Sequence, residues 1–123
     1  MLANDFYKVL ERETDDHQLN IRIELNPAHD IFKGHFPNNP VTPGVCMLQI
    51  FKELIEDHLQ LSLLITECTN VKFMAIINPQ IHPFLDLSIN CNAIDDNAFK
   101  VKASATFEST NALKLSMTLK QIE

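Results

Sequence analysis

Glycine is scarce in this sequence. Only 2 of its 123 residues are glycine, whereas an average usage of about 7% would give roughly nine. Long apolar runs are also missing, since no stretch approaches the roughly 18 residues that a membrane helix needs. The first residues lack the basic and apolar regions of a secretory signal. These absences argue against a membrane or secreted protein, and we expect a cytoplasmic one.

Cations and cysteines are few as well. The chain has 10 Lys and Arg against 16 Asp and Glu, a net charge of −6. Nucleic-acid binding depends on clustered cations that meet phosphates, so the composition argues against it. The cysteines are Cys46, Cys68 and Cys91, an odd number without paired metal spacing. We expect free thiols in a reducing compartment, no zinc site and no cofactor.

What is abundant is strict alternation of apolar and polar residues. Every second residue is apolar in the segments Leu19 to Leu25, Leu85 to Ala93, Phe99 to Phe107 and Leu113 to Leu119. Each pattern predicts an antiparallel strand with one buried face. Turn-forming residues separate the last three segments, so we expect them to form a meander. At 46% hydrophobic, the chain suits one domain over residues 1–123.

Two further segments complete the predicted elements. Leu64 to Ile77 is another strand candidate, and Tyr7 to Glu13 is either a short strand or a helical turn. One long helix is predicted from about Gly44 to about Leu59, with its apolar residues on one side. On that wheel Gln49 and Glu53 fall on the polar side. One helix cannot cover both faces of a sheet, so we predict an α+β fold with a curved antiparallel sheet wrapped around a central helix.

Both glycines and three of the six prolines lie in one stretch. It is Gly34-His35-Phe36-Pro37-Asn38-Asn39-Pro40-Val41-Thr42-Pro43-Gly44-Val45. Proline fixes φ, and glycine permits a close backbone approach or a positive φ. The stretch therefore predicts a rigid loop that places His35 beside a helix N-terminus. The structural alternative is a tight crossover that only holds Phe32 and Phe36 in the core.

This stretch resembles the pattern Gly-His-Phe-Pro-x-x-Pro-x-x-Pro-Gly-Val of the hot-dog-fold 3-hydroxyacyl-acyl carrier protein dehydratases. Every fixed position of the pattern is present, and the element order is similar over nearly the whole chain. The resemblance thins later, because the Gly-Asp that usually follows Pro79 is here Gln80-Ile81. It implies a hot-dog fold and dehydration of a 3-hydroxyacyl thioester to the trans-2-enoyl form in fatty-acid or polyene-type biosynthesis.

The resemblance also implies roles for single residues. His35 would take the α-proton of the substrate, because an imidazole titrates near neutral pH. The backbone amides of Gly44 and Val45 would stabilise the negative charge on the thioester oxygen. The substrate would be held on an acyl carrier protein or coenzyme A. Carrier proteins are acidic like this chain, so docking requires a local basic patch or a more basic second subunit.

One site position departs from the family. The family's acidic helix residue, fourteen positions after the histidine, is here Gln49, and the family's later glutamine is Glu53. An amide cannot serve as an ordinary general acid. Three accounts stay open. His35 performs both proton transfers, Glu53 supplies the acid, or the chain is a binding subunit.

Two other functions therefore remain beside dehydration. A hot-dog acyl thioesterase would use Gln49, His35 or Glu53 to position a hydrolytic water. A non-catalytic subunit would bind acyl groups beside a catalytic hot-dog partner. A helix wrapped by one sheet leaves strand edges uncovered, so we expect a dimer or higher oligomer, with itself or with a second hot-dog subunit.

Overall fold

The structure is a computed structural model that describes residues 2–34 and 40–122. It contains six strands, one α-helix and a short 3-10 helix at Asp30–Lys33. The elements in chain order are β1 (Tyr7–Thr14), β2 (Gln18–Leu25), α1 (Gly44–Leu59), β3 (Ser62–Phe73), β4 (Phe84–Ala93), β5 (Ala98–Phe107) and β6 (Thr110–Ile122).

The predicted elements agree closely with these. The helix has the predicted bounds, and the four alternating segments form β2, β4, β5 and β6. The segment that was open between strand and helical turn is strand β1. Strand β3 is shorter than predicted and ends at Phe73. The reason is local, since the amides of Met74 and Ala75 both donate to the carbonyl of Ala112 and the regular ladder stops there.

The strands form one antiparallel sheet in the order β1-β2-β4-β5-β6-β3. The predicted meander β4-β5-β6 lies in its middle, and β1 and β3 are its two edges. The alternation sets the register, because a shift of one residue would turn every apolar side chain to the solvent. The pair Ile23 and Leu85, for example, lies side by side with both side chains fully buried.

Helix α1 packs on the inner face of this sheet. Its buried apolar residues are Cys46, Met47, Ile50, Phe51, Leu54 and Ile55. They join the inward side chains of the strands in one hydrophobic cluster. This is the predicted α+β architecture, a single helix covered by an antiparallel sheet. Within the described ranges, no helix is long and apolar enough to span a bilayer.

Candidate active site

The start of helix α1 has backbone donors that find no acceptor among the described residues. Its N-cap is Pro43, which makes no side-chain capping bond. The amides of Cys46 and Met47 donate to the Pro43 carbonyl at 3.0 and 3.3 Å. The amides of Gly44 and Val45 come before these and have no acceptor in residues 2–34 and 40–122. They are the two amides that the sequence predicts for binding the thioester oxygen.

The charge at this helix end favours an anion. The first turn contains no acidic residue, so no side chain of that turn offsets the positive end of the helix dipole. Val45 is 71% exposed, so its backbone lies at the surface of this chain. Free amides at the positive end of a helix are suited to an oxygen that gains negative charge during a reaction.

Gly44 allows a close approach rather than an unusual φ. Neither of the described glycines has a positive φ. A Cβ on Gly44 would lie 2.6 Å from the Cζ atom of Phe73, which is far inside normal contact. Around Gly34, by contrast, nothing lies within 4 Å of the Cβ position. The glycine at the helix start therefore makes room for the ring of Phe73 at the end of strand β3.

His35, the predicted base, lies outside the described residues, as does the rest of the segment 35–39. The structure describes both sides of this segment. Gly34 ends the short 3-10 helix, and Pro40 is buried before the chain reaches the helix. The amide of Thr42 donates to the carbonyl of Ile77, which ties the approach to α1 to the turn after β3.

Glu53 is buried, in contrast to the exposed position that the helical wheel predicts. Its side chain is 6% exposed. The N-terminal segment covers it, and the amides of Leu2 and Ala3 donate to its two oxygens at 2.8 and 3.1 Å. The hydroxyl of Tyr7 also donates to Oε1, at 3.2 Å. The periodicity of a helix contains no information about the segments that pack on it, so it could not predict that residues 2 to 7 cover Glu53.

Gln49 is bonded to Glu53 one helical turn away. Its Nε2 donates to Glu53 Oε2 at 2.8 Å, and its side chain is half-buried. The structure thus brings together the two side chains that the sequence singled out as exchanged. Each oxygen of Glu53 now accepts two hydrogen bonds. The Gln49 amide nitrogen is committed to this contact, which leaves its Oε1 to accept a hydrogen bond from another group.

The sequence analysis did not identify Tyr7 as a hydrogen-bond partner of Glu53. Tyr7 is the only tyrosine and is 3% exposed. Burial, and then the charge and hydrogen bond of Glu53, raise the pKa of the Tyr7 hydroxyl well above its usual value. The hydroxyl therefore stays a donor. A lone tyrosine that begins a charged strand was the available signal, but its partner lies 46 residues away.

Thr42 is a second residue that the sequence did not single out. Its side chain is 6% exposed, and its Oγ1 has no hydrogen-bond partner within the described part of the chain. Buried hydroxyls are normally bonded, so this one, two residues before Gly44, is an unused polar group near the helix start.

Other candidate residues have structural roles. Cys46 lies in the first turn of α1, where a thiolate would be favoured, but burial raises the pKa of its thiol. His29 caps the 3-10 helix, since its Nδ1 accepts from the amide of Ile31 and its Nε2 donates to Asp5 at 3.0 Å. Among the described residues, no cluster of three His, Cys, Asp or Glu could hold a metal ion.

The fold and this site define a class of protein. One helix on a six-stranded antiparallel sheet, with two amides at the helix start that have no acceptor among the described residues, is the arrangement of a hot-dog domain. The chain belongs to the ApeI-like family, described as ApeI dehydratases, whose model matches residues 11–112. No curated protein is significantly similar to this sequence.

Solved structures agree on the fold. The dehydratase heterocomplex ApeI:P from Xenorhabdus doucetiae is 24% identical, with 91% of this chain and 96% of that chain covered and a TM-score of 0.74. A hypothetical thioesterase from Streptococcus pneumoniae, solved with coenzyme A, is 9% identical, with 94% and 85% covered and a TM-score of 0.68. The Escherichia coli PaaI protein is 6% identical, with 95% and 80% covered and a TM-score of 0.66. At these identities the likeness concerns the fold.

Proposed function

We propose that this protein dehydrates a 3-hydroxyacyl thioester to the trans-2-enoyl thioester. The observation that carries the proposal is the uncapped start of helix α1. There the amides of Gly44 and Val45 have no acceptor among residues 2–34 and 40–122, and they follow the Gly-His stretch in the sequence. Membership in the ApeI-like dehydratases supports the reaction class. The resemblance of residues 34–45 to the 3-hydroxyacyl dehydratase pattern supports the substrate class.

In the proposed reaction His35 removes a proton from the α-carbon. The electron pair of that C–H bond moves toward the thioester carbonyl, and negative charge develops on its oxygen. The amides of Gly44 and Val45 donate to that oxygen, an interaction that is stronger in the transition state than in the substrate. The electron pair of the enolate then forms the double bond between the α- and β-carbons, while the bond from the β-carbon to the hydroxyl breaks and its electron pair leaves with the oxygen. The hydroxyl leaves as water after it takes a proton.

We assign that last proton to His35 rather than to Glu53. Both oxygens of Glu53 already accept two hydrogen bonds each, so a proton there would displace a donor of the fold. Gln49 cannot be an ordinary acid. Its Oε1 can accept a hydrogen bond from the substrate hydroxyl, which would orient the leaving group toward the imidazolium. This is the His-only account of the three that the sequence leaves open.

We also propose that the active form contains a second hot-dog subunit. Strand β3 is an edge strand, and the segment from it to Ile76 exposes apolar side chains. They are Leu64, Val71, Phe73, Met74 and Ile76, which are 39% to 64% exposed. An apolar edge of this kind is normally paired or covered. The name of the Xenorhabdus doucetiae structure, a dehydratase heterocomplex, favours a different partner chain over a second copy.

The acyl group would be held on an acyl carrier protein or coenzyme A, in fatty-acid or polyene-type biosynthesis in the cytoplasm. The three cysteines are free in the structure, in keeping with a reducing compartment. No cofactor is required by this chemistry, because every proton and charge is handled by His35 and backbone amides.

One assay tests the proposal and its rivals. A short 3-hydroxyacyl thioester is incubated with the protein, alone and with a co-expressed hot-dog partner, and both the enoyl chromophore and free thiol are followed. We expect enoyl product without free thiol, and loss of activity in His35→Ala by more than about 10²-fold. Release of free thiol would favour the thioesterase. Carrier binding without turnover in any combination would favour the binding subunit.

A further inference from the structure

The outer face of the sheet contains a shallow basic concavity. It lies across strands β3, β6, β5 and β4 and has a volume of about 440 Å³. Lys72, Lys102 and Lys114 line it together with serine and asparagine side chains. No carboxylate is among its lining residues. We call these three residues the lysine cluster.

The lysine cluster places like charges side by side. Lys72 on β3 lies directly opposite Lys114 on β6, and Lys102 on β5 lies opposite Ser116, two residues further along β6. Directly opposed like charges destabilise a sheet. Lys8, Lys33 and Lys52 form ion pairs with carboxylates elsewhere.

Within the described part of the chain, no member of the lysine cluster forms an ion pair. Its positive charge is therefore uncompensated, although the protein as a whole carries a net charge of −6. An anionic partner would relieve the repulsion between these lysines, whereas the net charge of the whole protein is negative. Charge complementarity thus selects this face for an acidic partner.

The cluster borders the proposed active site. Lys72 immediately precedes Phe73, the residue whose ring meets the helix start at Gly44. Neighbouring residues of a strand are about 3.8 Å apart and point to opposite faces. Strand β3 therefore presents Lys72 outward at the same end at which Phe73 reaches the first turn of α1.

We propose that the lysine cluster is the docking surface for an acidic acyl carrier protein, an inference that rests on the proposed function. All three lysines are exposed. Exposed charged side chains attract an oppositely charged partner over a long range, but each ion pair that they form with it is weak. That suits a transient protein contact. A small anion would need enclosed, pre-arranged donors, which an open strand surface does not provide. The cluster also supplies the local basic patch that an acidic chain requires for an acidic carrier.

The test compares two triple variants with the same change in charge, each co-expressed with the hot-dog partner of the active form. The first carries Lys72→Gln, Lys102→Gln and Lys114→Gln. The matched control carries Lys8→Gln, Lys52→Gln and Lys120→Gln, three lysines outside the concavity. The substrates are one 3-hydroxyacyl chain on an acidic acyl carrier protein and the same chain on a small pantetheine thiol. Binding of the carrier in its phosphopantetheine form is measured separately by calorimetry.

We expect the first triple to raise the KM for the carrier-bound substrate and the Kd of the carrier by about tenfold, with kcat little changed, as loss of several exposed ion pairs would do. The pantetheine substrate should be unaffected, and the wild-type affinity should fall with salt. Equal effects of both triples would overturn the proposal, as would saturable binding of inorganic phosphate to the cluster with carrier binding unchanged. If the wild type shows no turnover but carrier binding still depends on the first triple, the docking surface stands and the proposed reaction fails.

Discussion

The start and the middle of helix α1 differ in how their polar groups are satisfied. At the start, the amides of Gly44 and Val45 have no acceptor among the described residues. In the middle, the carboxylate of Glu53 accepts four hydrogen bonds and is 6% exposed. Polar groups that are satisfied within the chain hold the fold, while unsatisfied ones are available to a ligand.

This difference gives the two exchanged residues, Glu53 and Gln49, different roles. The carboxylate at position 53 is an anchor for the N-terminal segment, since three of its four donors come from residues 2 to 7. Gln49 lies between the two regions. Its amide nitrogen donates to the anchor, and the role we propose for its carbonyl oxygen is to orient the substrate hydroxyl.

Removal of the Glu53 carboxylate should give the largest change in the free energy of unfolding. In Glu53→Leu the amides of Leu2 and Ala3 and the hydroxyl of Tyr7 lose their acceptor in a buried place. Each buried donor left unpaired costs about 1–3 kcal/mol, so we expect a loss of about 3 kcal/mol or more in the free energy of unfolding. Urea unfolding measures it. Glu53→Gln is the matched control, with a smaller loss because an amide oxygen still accepts. Unfolding of Glu53→Leu within about 0.5 kcal/mol of wild type would contradict the anchor role.

A side chain at the helix start should have the next largest effect. Gly44→Val forces the ring of Phe73 to move, and such overpacking costs about 1–3 kcal/mol. We expect a lower melting temperature than that of His35→Ala. The double variant Gly44→Val with Phe73→Ala should recover most of the loss, because the clashing ring is gone. Additive losses in the double variant would show that the Phe73 contact is not the reason for the glycine.

Gln49→Glu tests whether position 49 can provide an acid. The new carboxyl would lie within hydrogen-bond distance of Glu53, and two carboxylates so close share a proton. A shared proton at this place is a donor for the leaving hydroxyl, so we expect about a tenfold gain in dehydration, within the range of general-acid effects. The enoyl chromophore measures it. Gln49→Leu is the control and should lower turnover, since it removes the oxygen that we propose orients the hydroxyl.

A different outcome of that experiment would change the interpretation of the site. If Gln49→Glu lowers turnover while His35→Ala still abolishes it, the carboxamide itself is the working group. Thioester hydrolysis, followed by the release of free thiol, would then become the leading function.

Tyr7→Phe should give the smallest effect, about 1 kcal/mol for one lost hydrogen bond. The stability that the Tyr7 hydroxyl contributes should change with pH in a definite direction. Burial and Glu53 raise the pKa of Tyr7 above its ordinary value of 10.0, so the folded protein keeps a proton that the unfolded chain releases. This contribution to stability is complete below about pH 10 and is lost as the pH rises further. Unfolding curves between pH 8 and 11 should therefore fall less steeply for Tyr7→Phe. Parallel curves for both proteins would show that the hydroxyl is not protected.

Most of the fold could be predicted because its signals are local. Alternation in Leu19 to Leu25 and in Leu113 to Leu119 shows directly which face of each strand is buried. The helix bounds followed from Gly44 and from the end of the apolar pattern at Leu59. The end of β3 could not be predicted in the same way. The apolar pattern continues to Ile77, but the ladder stops where two amides share the carbonyl of Ala112.

The sequence by itself determined the element order and the hot-dog resemblance, because each depends on neighbouring residues or a fixed spacing. Only the tertiary structure decided the state of Glu53 and Gln49. A helical wheel places both on the polar side, yet residues 2 to 7 return over that side and bury the carboxylate. The physical reason is distance along the chain. Burial of a helix residue is set by what packs on it, and here that segment lies about 50 positions away, at 51 and 50 residues for Leu2 and Ala3.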